Sequence, residues 1–229
     1  MTRFSGRREA VLGLGAYALY LGVRALVVNE RGRRRAEKNA RRVVRLERRL
    51  SLDVEPRIQK LFLRRPRTLA VLNVSYVTLN VVLTVGWLMV LFRRRDPEFH
   101  RLRRAAALSL VGACPVFLCF PCAPPRTLDD YVDTVNEVLD MDSGLVAYVY
   151  NPIAAMPSIH LAFAVVTAAG LRQTARSPLV RALGVVYPSA VFGTVVATAN
   201  HYVLDGIAGS ALAAVALRVA RPSASLTAR

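Results

Sequence analysis

The chain has 229 residues, of which 54% are hydrophobic, and it carries a formal net charge of +17. Its mean hydropathy is +0.33. A soluble domain of that length would have to bury half its residues beneath a strongly cationic shell, whereas a membrane protein can confine the charge to loops and ends. A nucleic-acid binder is disfavoured, because basic clusters alternate with apolar spans and no recognised nucleic-acid motif is present.

In chain order, residues 10–29 form a first apolar run close to the ~20 residues that cross hydrocarbon. Arg24 interrupts it near one end, where snorkelling carries the charge to the interface. The run lacks a small-residue cleavage site leading into a soluble domain, so it does not read as a cleavable signal peptide. Residues 31–67 carry fifteen Lys and Arg. Ala36, Ala40, Val43, Val44 and Leu50 recur at helical spacing, and Ile58, Leu61 and Phe62 repeat the pattern after Pro56. This segment reads as two amphipathic helices on an anionic lipid surface, although a solvated charged helix fits the pattern nearly as well.

A second span is expected over 68–92, then a basic loop in which His100 reads as exposed, and a third span from 105 to about 122. Residues 123–157 form the one long acidic stretch, with Asp129, Asp130, Asp133, Glu137, Asp140 and Asp142. The fourth span starts near Pro157, placed at a first helical position, and fades at 172–176; the fifth is 179–199 and the sixth 202–217. The expected fold is all-α: one integral membrane domain over 1–229, six transmembrane helices in a bundle, and basic interfacial helices between spans one and two. Parity then puts Arg126, His160 and His201 on one membrane face. Cys114, Cys119 and Cys122 read as small, soft residues in or beside a membrane helix, with a Cys119–Cys122 disulfide left open.

Two stretches carry chemistry. In NPIAAMPSIH, residues 151–160, His160 follows Ser158 at a helix start, where unpaired N–H groups make an anion site. In ANHYVLDG, residues 199–206, His201 and Asp205 are four apart, which on a helix stacks them on one side. A carboxylate beside an imidazole fixes its tautomer and raises its basicity, although such a pair can also simply satisfy itself at a helix end. With Arg126 on the same face, the set suits phosphoryl transfer. One histidine attacks phosphorus, the other protonates the leaving oxygen, and the arginine, hydroxyl and helix N–H groups hold phosphate oxygens.

The strings AAMPSIH and TANHYVLD, with PPR at 124–126, resemble the signatures of the type 2 phosphatidic acid phosphatase superfamily, and most closely its inositol phosphorylceramide synthase-like branch. The resemblance covers about 121–209. It implies a membrane lipid phosphatase or phosphotransferase with a phosphohistidine intermediate and neither metal nor cofactor. His201 would be the nucleophile, Asp205 its orienting partner, His160 the general acid, and Arg126 and Ser158 the phosphate contacts. The family's first signature usually opens with lysine, but the lysines here are Lys38 and Lys60; Val195 stands where an arginine is usual, and Ile159 replaces a glycine. Fewer cations favour a singly charged phosphodiester donor, which tilts the expectation toward a phosphoinositol-type transferase.

Basic residues divide almost evenly between the two faces. The short loops, the termini and the resemblance together place the site outside the cytosol, with the cell membrane as the expected location. Expected partners are membrane lipids and an anionic lipid surface, with no nucleic acid; the oligomeric state is open. Rival readings are a haem protein using the two histidines, a proton-coupled transporter using the His/Asp pair, and a membrane scaffold.

Overall fold

The computed structural model describes residues 4–138 and 150–221. Among them are nine α-helices, one 3-10 turn and no strand. The helices are α1 (Gly6–Val27), α2 (Glu30–Arg49), α3 (Glu55–Leu63), α4 (Pro66–Arg93), α5 (Glu98–Cys119), α6 (Thr134–Val138), α7 (Ile159–Thr174), α8 (Pro178–Ala197) and α9 (Val203–Val219). Asp140 and Asp142 of the acidic stretch lie outside the described residues.

Local chemistry sets the boundaries. Asn29 does not end α1 but caps α2, its side chain accepting from the Gly32 amide at 2.9 Å. Pro66 opens α4 at a position where a missing N–H costs nothing. Helix α5 begins seven residues before the expected third span (98 against 105), because Asp96 accepts from the Glu98 amide at 2.9 Å and starts the helix inside the basic loop. His100 therefore sits in the first turn of α5, half-buried between the rings of Phe4 and Phe99 at 4.7 and 5.2 Å, and is not an exposed loop residue.

Among the described residues, three helices, α1, α5 and α8, are long and apolar enough to cross a membrane. Helix α4 makes a fourth if its halves 66–76 and 78–93, bent by 42°, count as one span. Helices α7 and α9 have 16 and 17 residues. Val11, Leu14, Leu26, Val82, Leu183 and Val186 point outward and are more than half exposed, as lipid-facing side chains are. Together these features mark a membrane protein.

The interior is alanine-rich. Ala105, Ala106, Ala162, Ala213 and Ala216 bring α5, α7 and α9 close together, with Leu91, Leu102 and Val166 filling the gaps. Polar side chains tie α4 to its neighbours: Asn73 donates to the Thr134 carbonyl of α6 at 2.7 Å, and the Thr84 and Thr167 hydroxyls, on α4 and α7, are 2.9 Å apart. Such interhelical bonds average about 0.6 kcal/mol in a membrane protein.

The basic segment folds as the expected pair of helices, and its apolar stripe packs on the protein. Ala36, Ala40 and Val43 are buried against Cys122, Ala123, Ile153, Ala155 and Tyr202, beneath the loops that carry the site. Leu50 and Leu61, counted in the same stripe, are exposed. Arg34, Lys38, Arg41 and Arg45 face outward. All three cysteines are free thiols, and Cys122 is buried, with its thiol pushed well up by burial.

Candidate active site

The site is built where α8 ends and α9 begins. Helix α8 closes with Ala199 in the left-handed region at φ 51°. The Ala199 amide donates to the Val196 carbonyl at 3.0 Å and the Asn200 amide to Val195 at 2.9 Å, the paired bonds of a Schellman turn. Alanine at that position costs roughly 1–2 kcal/mol relative to its right-handed conformation. The Ala199 carbonyl accepts from the Arg126 amide at 2.8 Å, so the turn also locates the Pro125–Thr127 3-10 turn.

His201 follows directly and lies outside any helix, so the four-residue spacing to Asp205 is not a stacked pair on one helix face. Asp205 is in the first turn of α9, its Oδ2 accepting from the Tyr202 amide at 3.0 Å as a helix cap. The same oxygen lies 3.3 Å from His201 Nδ1. The turn, not the helix, brings the ring back onto the carboxylate.

His201 Nε2 points the other way and lies 3.3 Å from His160 Nδ1. The His160 ring stacks on Tyr76 of α4 at 4.4 Å between centroids. Its carbonyl is held by Asn80 Nδ2 at 2.8 Å, and Asn80 in turn accepts from the Tyr187 hydroxyl at 2.7 Å. Three helices thus fix the second imidazole.

Ser158, not Pro157, sets the start of α7. It is the N-cap, its hydroxyl accepting from the Leu161 amide at 3.3 Å, and it is fully buried. Pro157 lies one residue before the cap. The Ser158 amide donates to the Asp205 carbonyl at 3.0 Å, joining the two helix starts. The preceding segment is pinned by Cys122, which donates to Ile153 and accepts from Ala155, each at 2.9 Å. At Gly209, an added Cβ would collide with the Ser158 carbonyl, so only glycine lets α9 approach this closely.

Arg126 is 5% exposed and held on three sides. Nε donates to Asn200 at 2.9 Å, Nη1 to Asp133 at 2.6 Å and Nη2 to the Tyr150 hydroxyl at 2.6 Å. Burial pulls the guanidinium pKa down, but Tyr150 and Asp133 outweigh it and hold the group above its ordinary value. Arg24 does not simply snorkel: its Nε donates to the Tyr150 carbonyl at 2.7 Å, tying α1 to this network.

His160, His201, Asp205, Ser158 and Arg126 therefore occupy one end of the bundle. Sequence reasoning missed Tyr76, Asp133, Tyr150 and Asn200, and also Glu47 and Glu55 of the basic segment. Both glutamates are buried, and they accept from the Leu204 and Val203 amides, each at 2.7 Å. Asn73 and Asn80 inside an apolar run were the available sign that α4 lines something polar.

A cavity of about 1540 Å³ opens beside the histidines. Tyr76, His160 and His201 line one end; Leu19, Val81, Val85 and Val111 line its length; Arg8 and Arg104 lie at the far end. It is bounded by α1, α4 and α5 and is largely apolar. Among the described residues, no group of three His, Cys, Asp or Glu side chains is placed to hold a metal ion.

No curated protein and no solved structure matches the chain. A family model described as the PAP2 superfamily matches residues 41–219, which takes in both histidine motifs, the Arg126 turn, and Glu47 and Glu55. On that match the chain belongs to the PAP2 superfamily.

Proposed function

We propose that this chain is a membrane lipid phosphatase or phosphotransferase that works through a phosphohistidine on His201. The observation that carries the reading is the line Asp205–His201–His160, with 3.3 Å on each side of the His201 ring. Asp205 engages Nδ1, which leaves Nε2 to attack. In the first half-reaction the Nε2–P bond forms and the P–O bond to the leaving group breaks, with the proton supplied by His160. In the second, water or an acceptor hydroxyl attacks phosphorus, gives its proton to His160, and the N–P bond breaks. Attack needs phosphorus about 3–3.5 Å from Nε2, so the direct contact between the rings opens as the phosphate enters.

In this reading Arg126 and the first-turn amides of α7 would hold the phosphate oxygens as charge develops on them. Ser158, fully buried, acts by capping that turn. The apolar cavity leading to the histidines supports a lipid substrate whose chain lies among α1, α4 and α5.

A phosphoinositol-type transfer, as in the inositol phosphorylceramide synthase-like branch, is the finer reading. It is supported by Arg126 being paired with Asp133, which leaves little net positive charge for a doubly charged monoester. We read α1, α4, α5, α7, α8 and α9 as six spans with the site on the extracytoplasmic side. The outward arginines of α2 then lie along an anionic lipid surface. The test is incubation in detergent with a panel of phosphatidylinositols and phosphatidic acid, with and without diacylglycerol or ceramide, followed by mass spectrometry of the products. Transfer of the inositol phosphate to the added acceptor supports the finer reading. Phosphate release from phosphatidic acid alone would leave a plain phosphatase.

A further inference from the structure

Helix α9 begins on three carboxyl groups drawn from three helices. The amides of Tyr202, Val203 and Leu204 donate in succession to Asp205 at 3.0 Å, Glu55 at 2.7 Å and Glu47 at 2.7 Å. Glu47 and Glu55 are 1% and 0% exposed. They come from α2 and α3, the segment whose outer surface is among the most basic parts of the chain. An amphipathic helix made only to lie on lipid has no need of acids on its buried side. Surface glutamates pair readily with nearby arginines, as Glu37 does with Arg41 at 2.8 Å; these two instead turn inward to reach main-chain amides well over a hundred residues away in sequence.

These amides belong to the residues that immediately follow His201. The His201 ring is otherwise located by its contacts with Asp205 and His160 and by the Schellman turn before it. Without the two glutamates, the start of α9 would keep the buried Tyr202 ring, whose hydroxyl donates to the Ala123 carbonyl at 3.2 Å, and the Ser158 amide on the Asp205 carbonyl, but the Val203 and Leu204 amides would lose their partners. The first turn would then loosen between Tyr202 and Asp205, and the Asp205 carboxylate and the His201 ring it contacts would shift with it.

We propose that Glu47 and Glu55 are positioning residues for the nucleophile: by accepting from the Leu204 and Val203 amides they clamp the start of α9 and so fix the direction of His201. This rests on the phosphohistidine reading above. It gives the α2–α3 segment a role in turnover that its basic composition does not suggest.

The test compares side-chain length with the carboxyl group itself at the two positions. Glu47→Asp and Glu55→Asp keep the carboxyl group but withdraw the oxygen by one methylene. Glu47→Gln and Glu55→Gln keep the reach and an acceptor oxygen while removing the titratable carboxyl. Two readouts are taken on full-length protein in detergent: amide hydrogen exchange over residues 201–206, and steady-state turnover on the phospholipid that supports the highest rate. The expected result is exchange at least about tenfold faster in the Asp variants, with kcat lowered about 10- to 100-fold and KM within about twofold, since a displacement of about 1 Å can cost ~10²-fold. The Gln variants should stay within about threefold of wild type on both readouts, because the amide oxygen still accepts the bond. Unchanged exchange in the Asp variants overturns the clamp whatever the activity. Faster exchange with wild-type kcat overturns the positioning role, as does a Gln variant that loses as much as its Asp counterpart. If wild type has no more turnover than His201→Ala on any lipid, it is the phosphohistidine reading that fails, and exchange alone decides whether the clamp exists.

Discussion

His201 stands between two partners, its Nδ1 3.3 Å from Asp205 Oδ2 and its Nε2 3.3 Å from His160 Nδ1. The two contacts divide the labour of the ring, one nitrogen for orientation and the other for bond making. Replacing His160 with alanine should therefore remove general acid help and lower kcat by ~10²–10⁴-fold on a natural lipid. The deficit should shrink sharply on a substrate with an activated leaving group such as p-nitrophenolate. Equal deficits on both substrates would show that His160 does not donate the proton.

Gly209 lets the α9 backbone touch the Ser158 carbonyl. Gly209→Ala should destabilise the protein by about 1–3 kcal/mol, the usual cost of overpacking, and impair turnover because the α7 start is displaced. A thermal melt in detergent checks the first effect. At Gly13 on α1 an added methyl would have no neighbour within 4 Å, so Gly13→Ala should be neutral or stabilising by up to about 1 kcal/mol. Equal melting points for the two variants would contradict the close approach.

Burial, with the neighbouring Glu55 carboxyl adding to it against the pull of the Leu204 amide, pushes the Glu47 pKa up to about 8. An unfolded glutamate titrates near ~4.3. Between those values the unfolded chain has lost a proton that the folded chain retains. The contribution to stability is therefore full below the unfolded value, falls as pH rises, and levels off above about 8. Melting temperatures measured across this window should decline in wild type and decline less in Glu47→Gln. Parallel curves would remove Glu47 from the account.

Asp133 neutralises Arg126 at 2.6 Å. Asp133→Asn should free that charge for substrate, lowering KM for a doubly charged monoester such as phosphatidic acid about 3- to 10-fold, the net effect of about one hydrogen bond. KM for a phosphodiester should change less. No shift in the ratio would mean that the pair does not select the headgroup.

The long apolar helices were legible in the sequence because period and length survive any packing. Their ends were less so: Asn29 and Asp96 shift boundaries through single side-chain caps. The residues His160, His201, Asp205, Ser158 and Arg126 stood out as polar groups at breaks in apolar runs. What the spacing could not show was that His201 sits on a turn made by Ala199 in the left-handed region, since alanine carries no such signal. Asp133, Tyr150 and Asn200 escaped notice because their partners lie 7 to 74 residues from them, and only the folded chain brings them to Arg126. Glu47 and Glu55 were hidden by their basic surroundings, where an acid reads as a surface partner.

The most direct measurement is peptide mass spectrometry, under alkaline conditions that preserve phosphohistidine, after brief incubation of the purified protein with lipid substrate. A phosphate or inositol phosphate adduct should appear on His201 and accumulate in His160→Ala if leaving-group expulsion outpaces its removal on an activated substrate. His201→Ala should show no adduct and at least about 10³-fold less turnover. Undiminished turnover in His201→Ala would mean that the chemistry belongs to another group.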